Sequence, residues 1–249
     1  MPAVPSPPVT AETTTLPDRL VVAVDGPSGS GKSSVCRTVA ARLQLRYLDT
    51  GAMYRAVTWL ALNRGMDLRD EQAVAALARE VRLDVATDPS NPLVRVNGID
   101  VTSAIRESRI SAAVSAVATN LDVRAELVRR QQGVIADPEA EGGIVVEGRD
   151  ITTVVAPDAP VRILLTASAD ARVARRAKEL HGTVDDRTVA VTSDEVLRRD
   201  DEDSSVVEFR RAADGVVVID TSALSFEDVV DAVLELVVPA DASTPRDRS

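Results

Sequence analysis

The segment Gly26-Pro27-Ser28-Gly29-Ser30-Gly31-Lys32-Ser33 follows the pattern G-x-x-x-x-G-K-[ST] and stands between an apolar run and a stretch of helical period. Leu20 to Val24 is the run, short and apolar enough for a buried strand; Val35, Val39 and Leu43 then fall on one helical face. A strand that turns through glycines into a helix aims backbone N–H groups at one point, with the positive end of the helix dipole behind them. Such a turn cradles phosphate. In it Lys32 reaches the β and γ oxygens of a nucleoside triphosphate, and the Ser33 hydroxyl is placed to ligate Mg²⁺. The expected contacts run over Gly26, Pro27, Ser28, Gly29, Ser30, Gly31, Lys32, Ser33 and Ser34.

Further along, short β-branched runs alternate with helical segments, which predicts an α/β fold with a parallel sheet covered by helices on both faces. Later strands are expected at Ile144 to Val146, Val161 to Leu165 and Val216 to Ile219, and Met53, Val57, Leu60 and Ala61 form one helix face. The last helix opens on Ser225 and Asp228, a capping-box arrangement, and is expected to turn Phe226, Val229, Val230, Val233 and Val237 inward. One region breaks the rhythm. Leu83 to Val85 and Val94 to Val101 alternate with period two around Asn97-Gly98, a hairpin signal. Residues 64–125 therefore read as a small antiparallel insertion into a core formed by 19–63 and 126–238, a natural place for a second substrate. Residues 1–18, rich in proline, and 239–249 are expected to be disordered tails.

A phosphate loop alone is shared by kinases, GTPases and motor ATPases. The net charge of −10 opposes a polyanionic partner, so neither nucleic acid nor an anionic membrane is expected, and no N/T-K-x-D guanine-reading segment is present. No apolar run approaches the ~20 residues of a membrane span, and Cys36 has no internal disulfide partner. A cytoplasmic monomer is expected. His181, just before Gly182 where a helix would end, is given no role.

Leu48-Asp49-Thr50-Gly51-Ala52-Met53-Tyr54-Arg55 follows the second short strand and puts a hydroxyl, an aromatic ring and a guanidinium beside the loop. Arg55 is either a ligand for a second phosphate or a solvated arginine on a capped helix. Together with Val24 to Ser33 and Val146-Glu147-Gly148-Arg149-Asp150, this segment makes the chain resemble the bacterial cytidylate kinase family from about residue 20 to 238.

The resemblance implies a phosphate-loop kinase fold with a helical lid, ATP and Mg²⁺, and CMP or dCMP as acceptor. It implies that Thr50, Tyr54 and Arg55 approach the CMP phosphate, that Ser115, Arg124 and Asp150 read cytosine, and that Arg199 and Asp203 hold the ribose. A carboxylate suits the cytosine amino group, which donates where the uracil oxygen would face it as a second acceptor. Asp150 directly follows a strand, so a Mg²⁺-linked role competes. Arg149 would face phosphate, or else pair with Glu147 or Asp150 at the surface. Arg172, Arg175 and Arg176 resemble lid arginines, within about 170–192, or a plain charged helix face. Lys32, Arg55 and Arg149 are the expected catalytic cations. The run Asp200 to Asp203 would ordinarily be a solvated acidic face.

The chain departs from the family at three points. Val206 stands where the family usually has a phosphate-contacting arginine, with Arg210 or Arg211 as candidate replacements; Thr152 and Ala156 stand where glycine and phenylalanine are common.

Overall fold

In chain order the elements are β1 (Val21–Asp25), α1 (Lys32–Arg42), β2 (Arg46–Asp49), α2 (Thr50–Asn63), α3 (Glu71–Glu80), β3 (Leu83–Val85), β4 (Val94–Val96), β5 (Ile99–Asp100), α4 (Ser108–Ala118), α5 (Leu121–Ile135), β6 (Ile144–Gly148), β7 (Val161–Thr166), α6 (Ala169–His181), α7 (Asp186–Ser204), β8 (Val217–Asp220) and α8 (Phe226–Val237). A 3₁₀ turn spans Ala104–Arg106 and a π-helical turn Ile151–Val155. The computed structural model describes residues 19–238, without the side chains of Glu179, His181, Glu195 and Arg199. The tails expected at 1–18 and 239–249 lie outside the described residues, as does the side chain of Arg199, expected at the ribose.

Five strands form one parallel sheet in the order β2-β6-β1-β7-β8. The near-continuous apolar runs of β1 and β6 go with cover on both faces of the sheet centre, whereas the edge strand β8 leaves Val217 and Val218 exposed. Successive side chains point to opposite faces. Thus Val22, Val24, Tyr47 and Val145 pack with α1 and α8, whereas Ala23, Leu48, Ile144 and Val146 pack with α2 and α5. The centre is β1, where Val22 lies opposite Val145 on one side and Val161 on the other. From β1 the chain turns towards β2, and the later path from β6 to β7 crosses β1, so a crevice opens at the carboxyl end of β1.

The small sheet, in the order β3-β4-β5, is antiparallel. Asn97 and Gly98 join β4 to β5 with φ of 51° and 84°, the two left-handed conformations that a two-residue type I′ turn needs. Val94 and Val96 share the core of α2, so the small sheet packs against that helix, and α5 runs across the boundary expected at 125/126.

The capping box of α8 is present: Ser225 Oγ accepts from the Asp228 N–H, and Asp228 accepts from the Ser225 N–H. Val229, Val230, Val233 and Val237 are buried as expected. Phe226 is not. It is 45% exposed, at the first residue of α8, and lines the crevice.

This packing makes two contrasting predictions for the midpoint of urea unfolding. Leu127→Ala, which empties a fully buried site, should cost about 2–5 kcal/mol. Phe226→Ala should stay within about 0.5 kcal/mol.

Candidate active site

A cavity of about 950 Å³ fills the crevice, within the size range of small-ligand sites. One wall is the loop from Ser28 to Ser34. Gly31, at φ 88°, is the N-cap of α1, and no side chain caps that helix, so its first amides are left to face the cavity. Lys32 Nζ donates to the Pro27 carbonyl at 3.1 Å. Burial pulls the Lys32 ammonium below its usual range in spite of the Glu147 carboxylate nearby. Gly26 and Pro27 form the base of the loop rather than its cavity face.

Glu147 is a residue that sequence reasoning saw only as a partner for Arg149. It is the penultimate residue of the buried strand β6, in register with Val24 of β1, and reaches the cavity wall beside Lys32 and Ser33. Tyr47 Oη donates to it at 2.9 Å. Burial, then the Asp49 charge, push its carboxyl up against the pull of Lys32. A carboxylate one residue from the end of an otherwise apolar strand was the available signal.

At the start of α2, Asp49 accepts from the Ala52 N–H at 2.9 Å and from Arg55 Nη2 at 2.8 Å. Thr50 Oγ1 donates to the Glu147 carbonyl at 2.8 Å. Arg55 is therefore a buried-edge arginine, not a solvated one, with its side chain 15% exposed. Burial alone would weaken its charge; Asp49 more than restores it. The buried Tyr54 side chain lines the same wall, with Gln131 beside its hydroxyl.

Across the cavity Arg124 of α5 pairs with Asp150 and also donates to the Ala118 carbonyl at 3.2 Å. Burial raises the Asp150 carboxyl and Arg124 opposes the rise. The loop that carries Asp150 is anchored from below. Asp25, at the end of β1, accepts from the Ile151 N–H at 2.8 Å, the Thr152 N–H at 2.8 Å and Thr152 Oγ1 at 2.6 Å. The threonine that replaces the family's usual glycine thus adds a third donor to a buried carboxylate.

Arg149 does form ion pairs, but with α7 rather than with Glu147 or Asp150: Nη1 to Asp200 at 2.8 Å and Nη2 to Asp203 at 3.0 Å. Its guanidinium lies 4.3 Å from the centre of the buried Phe209 ring. Accordingly the acidic run is only half a solvated face. Asp200 and Asp203 are buried and Asp201 is exposed, because Val196, Asp200 and Asp203 share one inward side of α7. Ser115 donates to Asp203 at 3.1 Å and sits behind the cavity wall.

The three arginines of α6 diverge. Arg172 is buried against the loop, donating to the Ser28 carbonyl at 3.1 Å. Arg175 donates to Thr221 Oγ1 at 2.8 Å, and Arg176 to Ser111 Oγ at 3.4 Å, so α6 touches α4. Arg175 and Arg176 line the cavity, as does Arg106 from the 3₁₀ turn, which sequence reasoning had passed over. Arg210 pairs with Asp201 on the exposed surface, and neither Arg210 nor Arg211 reaches the cavity wall.

The Cytidylate kinase family model matches residues 22–238. The chain belongs to the cytidylate kinase family. It is accordingly a phosphotransferase. Three relatives, each named cytidylate kinase, illustrate the match. The protein of Streptomyces avermitilis is 46% identical over 88% of this chain and 92% of its own. That of Cutibacterium acnes is 48% identical over 88% and 96%; that of Nocardia farcinica is 49% identical over 88% and 93%. Among the described residues, no helix is long and apolar enough to cross a membrane.

For this cytidylate kinase family member, Thr152→Val keeps the volume and removes one donor to a charged group, at a cost of about 1.5–3 kcal/mol. Burial holds Asp25 above its ordinary 3.8, so ionised Asp25 weakens the fold: its contribution is greatest below 3.8 and is lost as pH rises through the folded value. Losing Thr152 Oγ1 raises that value further. The penalty, measured by chemical denaturation, should be largest near neutral pH and shrink as the pH falls towards 3.8.

Proposed function

We propose that this chain transfers the γ-phosphoryl group of ATP to CMP or dCMP, with the acceptor in the part of the cavity walled by α2, α5 and Asp150. The observation that carries this reading is that one cavity holds an uncapped helix start with Lys32 at one wall and the Arg124–Asp150 pair at the other. Two phosphate ends can therefore meet between Lys32, Arg55 and Arg149.

In this reading the loop from Gly26 to Ser34 takes the triphosphate. Lys32 and Arg149 face the transferred group, and Thr50, Tyr54 and Arg55 face the acceptor phosphate. Asp150, oriented by Arg124, accepts from the cytosine amino group, which uracil lacks. Ser115 acts through Asp203, and Arg199 with Asp203 holds the ribose. Residues 64–125 serve as the acceptor subdomain. Residues 170–192 serve as the lid, with Arg175 and Arg176 at the cavity and Arg172 behind the loop. A cytoplasmic setting, where ATP is available as donor, belongs to the same proposal, as does a monomeric state.

The acceptor phosphate is already anionic near neutral pH, so the chemistry asks for alignment and charge compensation more than for a base. That fits a site where cations outnumber any candidate proton acceptor. The donor set also fits Mg²⁺. Ser33 offers a hydroxyl and Glu147 a carboxylate beside it, and Mg²⁺ is commonly held by one or two such groups plus substrate phosphates and water. When bound there it supplies charge neutralisation on the β and γ oxygens. Asp150 is taken up by Arg124, which favours base reading over a metal role for it.

A coupled assay with ATP and each of CMP, dCMP, UMP and AMP tests the proposal; CMP and dCMP should be strongly preferred, and absence of CDP would refute it. Lys32→Ala should lower turnover by ~10³–10⁵, the range of a comparable cation in phosphoryl transfer. Asp150→Asn should raise KM for CMP far more than for ATP, whereas equal losses on both substrates would favour the metal role.

A further inference from the structure

Asp200 is 1% exposed, and the reading above gives it no task. Its carboxylate gathers donors from three separate elements. Oδ1 accepts from the Ser28 N–H at 3.2 Å and from Arg149 Nη1 at 2.8 Å; Oδ2 accepts from Arg172 Nη1. Arg172 then closes a ring by donating to the Ser28 carbonyl at 3.1 Å. One residue of the phosphate loop is therefore gripped at both its N–H and its C=O. The contact is close throughout: a Cβ added at Gly29 would lie 2.6 Å from the Arg172 carbonyl oxygen.

A buried ion pair is a poor device for stability alone, since apolar residues of similar volume often do as well. What a carboxylate supplies and an apolar group cannot is orientation. A guanidinium has five donors in a rigid plane, so a carboxylate on one edge fixes the plane and leaves the other edges free. Arg149 shows the result, clamped by Asp200 and Asp203 along its edges and by Phe209 on its face while still lining the cavity. Burial pushes the Asp200 carboxyl up, but the Arg149 charge, the Ser28 N–H and the Arg172 charge outweigh it and hold it below its usual range.

We propose that Asp200 is a positioning residue: it docks α6 and α7 on the phosphate loop through Ser28 and Arg172, and it fixes the plane of the Arg149 guanidinium that faces the transferred phosphoryl group. Its effect on rate rests on the kinase reading; its docking role does not.

The test compares the full-length wild type with D200N, D200E and D201N, the last altering an exposed neighbour on the same helix. At saturating ATP and CMP, D200N should lower kcat by about 10²-fold, the scale of a small misplacement at a reacting centre, with KM for CMP changed less than about threefold. D200E, which keeps the charge, should recover part of the loss, and D201N should match the wild type. Hydrogen exchange on the protein without nucleotide should rise in D200N at residues 28–30 and in α6 together, and in neither for D201N.

A D200N kcat within about threefold of wild type overturns the proposal, as does a rise, which would mean that Asp200 competes with phosphate for the arginines. A loss of kcat with exchange unchanged at both segments also overturns it. Should D200N fail to fold, D200N/R172Q removes the surplus charge; it should fold, exchange faster at both segments and stay slow, and a wild-type rate from it would refute docking. CDP formation by the wild type tests the kinase reading separately, and the exchange measurement reports on docking whichever way that assay falls.

Discussion

Cations that are to meet phosphate must be held still by something else, in a chain whose net charge is −10. The side chains around the cavity meet this constraint by pairing. Asp49 holds Arg55, Asp150 holds Arg124, Asp200 and Asp203 hold Arg149, and Thr221 holds Arg175. Each pairing fixes a guanidinium plane and limits the loss of side-chain freedom that phosphate binding would otherwise cost. The acidic excess is not spread evenly; part of it is drawn inward to serve as a frame for arginines.

The parallel sheet makes this frame possible. Buried on both faces at its centre, it brings the carboxyl ends of β1 and β6 side by side and delivers Asp25, Glu147, Arg149 and Asp150 to one rim. Rigid strands hold such groups more precisely than free loops do. The π-helical turn after Asp150 is tied back to β1 through Asp25, so the end of the strand that begins the phosphate loop also anchors the loop opposite it. The two sides of the cavity are thereby built on one covalent and hydrogen-bonded base.

Much of this could be read along the chain. The glycine loop into α1, four of the five parallel strands to within two residues, the Asn97-Gly98 turn and the cap at Ser225 all depend on neighbours within a few positions, where spacing and backbone preference decide the outcome. Phe226 was misplaced for the same reason that its neighbours were placed correctly. Helical period assigns it to the inward face, but period carries no information about where the sheet stops. The run Asp200 to Asp203 misleads similarly: composition reads it as solvated, while the helical spacing of Val196, Asp200 and Asp203 marks one side of it as inward.

The sequence by itself determined the parallel strands with helices between them, the glycine turn that opens α1 and the family, because these follow from local conformational preference and motif spacing. Only the tertiary structure decided which carboxylate meets which arginine. The pairings Arg124–Asp150, Arg149–Asp200 and Arg172–Asp200 join residues 26, 51 and 28 positions apart. Every acidic side chain on the chain attracts every basic one, so charge alone cannot choose among them. The choice is made by the packing of helices on the sheet, which brings some pairs within hydrogen-bond reach, takes them out of water and leaves the others apart.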